Sequence, residues 1–304
     1  MQIFINIVQN FLDGIMVGSS YALLGLGFSL IFGVLGRVNL AYGSTILVGV
    51  FAGSTMLRLM PGHPILALMI TIFSTVLAGI YVERLCFRAI PQKAALASMV
   101  SSFAIWMQLD EFVIQSPWSQ TYAYHFPAPF ELGLLQYGPF VARVDYLLMW
   151  GSALVAMVAL WWIVSYTQFG RSMRAVSNNI NAARTLGLNV HRIGFQAFFL
   201  ASVIGGLAGY LIAVSHQQVT PYFGLWATIK GLIAMIIGGM GSIPGAIVGG
   251  LLLGIAEIQA DWFLGAEFRE LIAYLLLFVF LIFRPRGLFG QTRGAGIGAD
   301  AQRA

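Results

Sequence analysis

The chain has 304 residues, of which 59% are hydrophobic and only 9% are charged, with a mean hydropathy of +0.85. Soluble globular domains carry about 25% charged residues, so this composition excludes a water-solvated fold and points to several membrane spans of ~20 residues each. The net charge of +5 is spread between apolar runs, which excludes a nucleic-acid-binding face and follows membrane topology instead.

From the N-terminus, Ile3 to Asp13 sets Gln9, Asn10 and Asp13 opposite Phe4, Val8 and Phe11. That spacing predicts an amphipathic helix over 1–13, lying at an interface or flanking the bundle. No basic n-region or small-residue cleavage site precedes the apolar run, so the N-terminus is expected to be retained. Spans are then predicted at about 14–36, 44–60, 64–82, 94–114, 146–166, 193–214, 222–240, 245–260 and 268–283. The last pair but one is separated by Gly238-Gly-Met-Gly-Ser-Ile-Pro-Gly245 and is either broken or re-entrant, which gives 8 to 10 crossings. The fold class is an all-α polytopic bundle in one transmembrane domain over 1–304, with a basic loop at 167–192 and a tail at 284–304.

Arginine and lysine set the orientation. Assigning the regions near 37, 84–93, 167–192 and after 283 to the cytoplasm puts 12 of them on that side, against three (Arg58, Arg143 and Arg269) on the other. The N-terminus is therefore expected outside and the C-terminus inside. The connector 115–145, with Pro117, Pro127, Pro129 and Pro139, is then external, suited to a soluble partner or serving as a plain connector.

Small residues recur four apart at Gly14–Gly18, Gly205–Gly209, Gly241–Gly245–Gly249 and Gly250–Gly254, a spacing that brings membrane helices close together. Ile31-Phe-Gly33-Val-Leu-Gly36-Arg-Val38 echoes Ile236-Ile-Gly238-Gly-Met-Gly241-Ser-Ile243. Paired glycine interruptions mark transporters built from repeats, with the solute site beside the breaks; an echo of eight low-complexity positions also arises by chance. On the first reading Asn39, Tyr42, Gly238, Gly241 and Ser242 line a translocation path near the bilayer middle. Lys230, well inside its span, needs a partner. Either Glu257 or Asp13 pairs with it, or it receives the carboxylate of a solute. The ion pair is favoured, because a fixed positive charge would hold an anionic solute too tightly for release.

The loop Gln168 to Arg192 is basic and free of acids. Ser177, Asn178 and Asn179 are able to cap a helix, and Gly187 offers a stop after it. This describes either a short helix that docks into a cytoplasmic partner or a positive-inside loop with an incidental helical turn; the residues alone support both.

Asn181-Ala182-Ala183-Arg184-Thr185-Leu186-Gly187 resembles the EAA-x-x-x-G coupling motif of ATP-binding-cassette (ABC) importer permeases, with Asn in place of Glu. Nearly end to end the chain resembles the branched-chain amino acid permease family, in its H-type subunit. The matching pieces include Gly18-Ser-Ser-Tyr-Ala-Leu23, Phe32-Gly-Val-Leu-Gly36, Leu186-Gly-Leu-Asn-Val190, Gly238-Gly-Met-Gly-Ser-Ile-Pro-Gly-Ala246 and Arg284-Pro-Arg-Gly-Leu-Phe-Gly290. Relatives usually read Asn-Phe-Ala-His-Gly where this chain has Asn39-Leu-Ala-Tyr42-Gly43, a change that bears on solute preference; related systems carry aromatic acids, amides and urea. Asp13 stands where Asn is common.

The resemblance implies an inner-membrane importer subunit for a branched-chain amino acid or a similar small solute. Its implied partners are a second permease subunit, two cytoplasmic ATPase subunits and an external solute-binding protein. Arg174, Asn181, Ala182, Ala183, Leu186 and Gly187 are then the coupling residues. No GxxxxGK[ST] phosphate loop occurs, so ATP hydrolysis is expected in the partners. No cofactor, metal site or catalytic residue is expected: Cys86 stands alone, and the four histidines are scattered. A stand-alone channel or ion-driven carrier is the competing reading.

Overall fold

The computed structural model describes residues 2–91, 94–116, 124–126, 134–137 and 140–290. Eleven α-helices are described: α1 (Gln2–Leu35), α2 (Tyr42–Leu59), α3 (Pro64–Val82), α4 (Ala95–Ile114), α5 (Val144–Tyr166), α6 (Gln168–Asn178), α7 (Ile180–Thr185), α8 (Val190–His216), α9 (Phe223–Gly238), α10 (Ile243–Leu264) and α11 (Arg269–Phe283). Each predicted span coincides with a helix. Five helical stretches (Ile3–Leu35, Pro64–Arg88, Tyr146–Tyr166, Val190–His216 and Ile243–Leu264) are long and apolar enough to cross a membrane. The helices at the other four predicted spans are shorter or more polar, α9 having 16 residues and α11 having 15.

The predicted separate helix over 1–13 does not exist as such. Residues 2–35 form one helix of 34 residues, roughly 51 Å long at 1.5 Å per residue, because nothing between Asp13 and Gly18 breaks it. Gln9 donates both ways onto the Asp13 carboxylate at 3.1 Å, so these two members of the polar stripe satisfy each other on the helix itself.

Helix α1 is the axis of the bundle, packed against α10, α8, α9 and α5. The predicted small-residue steps interlock. A methyl group on Gly14 would lie 2.7 Å from Ile255 Cα, one on Gly18 would lie 2.9 Å from Leu251 Cα, and Gly250 and Gly254 press back on Ala22 and Gly18. Gly245 and Gly249 likewise sit on Gly238 and Ala234 of α9, while Gly205 and Gly209 receive Tyr42, Ile46 and Val50 of α2. Lipid offers no hydrophobic drive for helix association, so contact at backbone distance is what holds such helices together.

The predicted external connector lies partly outside the described residues, its four prolines included. Its described parts make two short antiparallel ladders: Tyr124–His125 pairs with Gln218–Val219, and Leu134–Tyr137 pairs with Phe140–Arg143. The tail 284–304 divides. Residues 291–304 lie outside the described residues, whereas 284–290 folds back: the Leu288 and Phe289 amides donate to the Ile237 and Gly238 carbonyls, each at 2.9 Å. The segment Arg284-Pro-Arg-Gly-Leu-Phe-Gly290 therefore seals the last carbonyls of α9, which a helix end leaves without partners.

Candidate coupling helix and intramembrane breaks

The acid-free loop folds into α6, α7 and the start of α8. Thr167 caps α6, its hydroxyl accepting from the Gly170 amide at 3.4 Å, and Gly170, Met173 and Val176 give the helix one buried face. Arg174 turns back on the chain, donating to the Val164 and Ser165 carbonyls at the end of α5. Its guanidinium thus satisfies orphan carbonyls and fixes α6 against α5; that is an intrachain task added to the coupling role expected of it.

Of the three predicted capping residues, Asn179 does the work. Its side-chain oxygen accepts from the Asn181 and Ala182 amides, both at 3.0 Å, while Ser177 and Asn178 lie inside α6. Helix α7 lasts six residues. It ends where the Leu188 amide reaches the Ala183 carbonyl and the Gly187 amide reaches the Arg184 carbonyl, each at 3.0 Å, with Gly187 at φ +79°. This is the crossed pair of bonds that terminates a helix through a left-handed residue, and glycine adopts that conformation without strain. Ala183 faces inward and is buried, Asn181 and Ala182 face out, and Leu186 is 77% exposed. Leu186 is thus a bare leucine at the closed end of a capped helix.

The first glycine interruption is built differently from the second. Helix α1 ends at Gly36, φ +65°, and the chain runs as irregular backbone to Tyr42. That backbone is enclosed. Arg37, 4% exposed, donates to the carbonyls of Phe87 (2.9 Å) and Ile90 (3.3 Å) and to the Ser98 hydroxyl, and lies 5.1 Å over the Phe87 ring. Asn39 folds its side chain onto the Ala41 amide at 3.1 Å. The Leu40 amide donates to Ser102 of α4, and the Gly43 amide donates to Thr228 of α9. Irregular backbone at membrane depth is tolerated only where protein or a watery cavity satisfies it, and here protein does so. Arg37, which sequence reasoning counted only as a topological charge, is the clamp of this segment. It fastens the segment to Glu83–Arg88, where α3 widens into a π-helical turn that no residue pattern announced.

Tyr42 fills the slot left by two glycines, Gly27 of α1 and Gly205 of α8. Its hydroxyl donates to the Ala201 carbonyl at 2.9 Å, and its ring meets Phe28 edge-on at 4.7 Å. Asn39 and Tyr42 are each 1% exposed. Both side chains, expected along a path, are packed within the chain here and hold the break together from inside.

The second interruption is a tight turn between α9 and α10, with Gly239 and Gly241 at φ +110° and +83° and Ser242 capping α10 through the Gly245 amide at 3.2 Å. The two interruptions do touch, since a methyl group on Gly241 would sit 3.2 Å from Gly33 Cα. They meet at the end of the bundle that carries the basic loop, beside Met173 of α6. The reason is length: α1 runs its full 34 residues before breaking, so its break falls level with the coupling loop. Gly238 is buried under Gly245, whereas Gly241 and Ser242 remain half-exposed.

Lys230 is 1% exposed. It pairs with Glu257 at 2.6 Å and with Glu270 of α11 at 2.9 Å, and its ammonium sits 5.8 Å and 5.9 Å from the Tyr21 and Trp226 rings. Tyr21 donates to the other Glu257 oxygen at 2.9 Å. The predicted ion pair with Glu257 forms, and the alternative partner Asp13 is replaced by Glu270, which sequence separation concealed. One lysine thus joins α9, α10 and α11, with α1 closing the cluster. Arg269 and Asp261 add a half-exposed pair at 2.7 Å beside it.

A glycine-packed bundle with an enclosed helix break and a capped helix projecting from one end is the form of a multi-pass permease subunit. Residues 10–281 match the family described as branched-chain amino acid transport system / permease component, and the chain belongs to that family. It is similar to the high-affinity branched-chain amino acid transport system permease protein LivH of Escherichia coli K12, with 27% identity over 95% of this chain and 97% of the relative. The corresponding BraD protein of Pseudomonas aeruginosa is 29% identical over 93% and 96%. Among solved structures, PsaBC from Streptococcus pneumoniae in complex with Fab aligns over 91% of both chains with a TM-score of 0.50 and 15% identity, a likeness of fold. The protein is accordingly a multi-pass inner-membrane transport subunit of an ABC importer, and the family's role is permeation, not catalysis.

Proposed function

We propose that this chain forms one half of the transmembrane passage of an importer for a branched-chain amino acid or a similar small amino-acid-like or carboxylate solute. Two ATPase subunits drive it from the cytoplasm, a second permease chain completes the passage, and an external binding protein delivers the solute. The observation that carries this reading is α7, a six-residue helix closed at both ends by its own side chain and glycine and offering Leu186 to a partner, in a chain of this family. Its coupling surface is Asn181, Ala182, Leu186 and Gly187, with Ala183 and Arg174 anchoring it from within.

The N-terminus lies outside and the C-terminus inside. Supporting this, the basic loop 167–192, the Gly33–Gly241 contact and the segment 284–290 gather at one end of the bundle, and the loop and the segment carry Arg171, Arg174, Arg184, Arg192, Arg284 and Arg286. The solute passes along the face of the chain toward the second permease. Gly241 and Ser242 border its inner mouth, and Asn39, Tyr42, Gly238, Lys230 and Glu257 shape the wall from behind.

The test is a photo-crosslinker in place of Leu186 in the assembled transporter. An adduct with the ATPase subunit is expected, weakened when Gly187→Val disturbs the end of α7 that presents this position. Co-purification of the ATPase with no adduct from this position would overturn the assignment of α7.

A further inference from the structure

At the end of the bundle that carries α6 and α7, a surface groove of about 360 Å³ opens between α5, α6 and α8, lined by Ile163, Phe169, Phe195, Gln196, Phe199 and Leu200. Five of the six are apolar. The sixth, Gln196, is exposed and makes no hydrogen bond with any described residue. An amide on a lipid-facing surface is costly unless something polar meets it.

The face of α8 that lines the groove is graded. Arg192, Phe195, Gln196, Phe199 and Leu200 recur at three- and four-residue spacing, so they form one stripe. The stripe runs from a cation, through an amide, to bare hydrocarbon. Arg192 is exposed, and its guanidinium has no partner among the described residues. It lies roughly 6 Å below Gln196 along the helix axis. Beside the groove, the last turns of α5 expose Trp161 (47%), Trp162 (57%) and Tyr166 (62%), and such aromatic clusters mark the headgroup level of a bilayer. The surrounding segment 168–192 contains no acid to neutralise Arg192.

We infer that this groove is a binding site for one anionic phospholipid of the adjacent leaflet. Its phosphate rests on Arg192, its ester carbonyl takes a hydrogen bond from Gln196, and an acyl chain lies over Phe195, Phe199 and Leu200. Each part of that ligand meets its chemical counterpart in the order in which the lipid presents them. A protein partner would have no reason to match a cation, an amide and hydrocarbon in that sequence along one helix. A zwitterionic lipid fits the hydrocarbon but gains less at Arg192, because its own ammonium competes.

The test uses the assembled transporter in vesicles of phosphatidylcholine with one-fifth phosphatidylglycerol, carrying a benzoyl-phenylalanine in place of Phe199. Phosphatidylglycerol adducts enriched over the bilayer ratio are expected. Arg192→Gln should lower that enrichment about fivefold, the effect of one basic residue near an anionic surface, and Arg192→Lys should largely retain it. High salt should reduce the enrichment in the unaltered chain as well, which supplies a reading if the variant fails to assemble. Adducts in simple bilayer proportion, or indifferent to both Arg192→Gln and salt, would overturn the proposal. So would adducts to another polypeptide, which would make the groove a subunit interface.

Discussion

Replacing Lys230 by methionine keeps the volume of the side chain and removes its charge. Lys230 sits seven residues inside α9, roughly 11 Å from the helix start, held between Glu257, with 3% side-chain exposure, and Glu270, with 47%. After the change Glu257 keeps one hydrogen bond, from Tyr21, and is left beside the Glu270 carboxylate with no cation between them. Leaving one member of a buried pair costs about 3–5 kcal/mol. Glu270, half in water, should matter by no more than about 1 kcal/mol. Lys230→Met is therefore expected to lose ~3–5 kcal/mol in reversible unfolding of the detergent-solubilised chain, Glu270→Gln about 0–1 kcal/mol, and the double change Lys230→Met with Glu257→Gln should recover most of the loss, because neither charge is then stranded. A Lys230→Met chain as stable as the original would refute the reasoning, as would a double variant no better than the single one. Normal stability with loss of carboxylate uptake would move the lysine from scaffold to solute contact.

Gly187→Val forces a β-branched residue into φ +79° and should abolish solute-stimulated ATP hydrolysis while membrane insertion persists; normal stimulation would show that the α7 terminus is not needed for coupling. Tyr42→Phe removes the bond to the Ala201 carbonyl and is expected to cost about 1–2 kcal/mol in the same unfolding assay, with no change in which solute is carried; a shift in solute preference would return Tyr42 to the path. Cysteine at position 242, half-exposed, should react with a water-soluble maleimide from the side of α7, whereas cysteine at position 39, where Asn39 is 1% exposed, should be protected; equal labelling at both would mean that the break opens to water.

Much of the architecture was legible because membranes constrain backbones severely. Apolar runs gave the helices, and glycines four apart marked the α1–α10 seam, since residues at that spacing share a helix face. Gly187 and the Asn-Asn pair before it announced α7 through local rules of capping. Other features depended on contacts that no local rule encodes. The π-helical turn at Glu83–Arg88 carries the Phe87 carbonyl that Arg37 binds, 50 residues earlier in the chain. Tyr42 read as a path residue beside a glycine break, yet Gly27 and Gly205, distant in sequence, create the slot that buries it. The tail looked free because only the fold shows that the carbonyls of Ile237 and Gly238 need its amides. Glu270, the second partner of Lys230, is 40 residues away, and no local spacing pairs the two.

The central claim is that permeation through this chain is driven by an ATPase acting from outside it. The direct measurement is uptake of labelled branched-chain amino acids and related small carboxylates into proteoliposomes, with the permease chains alone and with their ATPase subunits, loaded binding protein and ATP. Accumulation against a gradient only in the complete, ATP-supplied preparation is the predicted result. Uptake by this chain alone, following a solute or ion gradient and indifferent to ATP, would contradict the account.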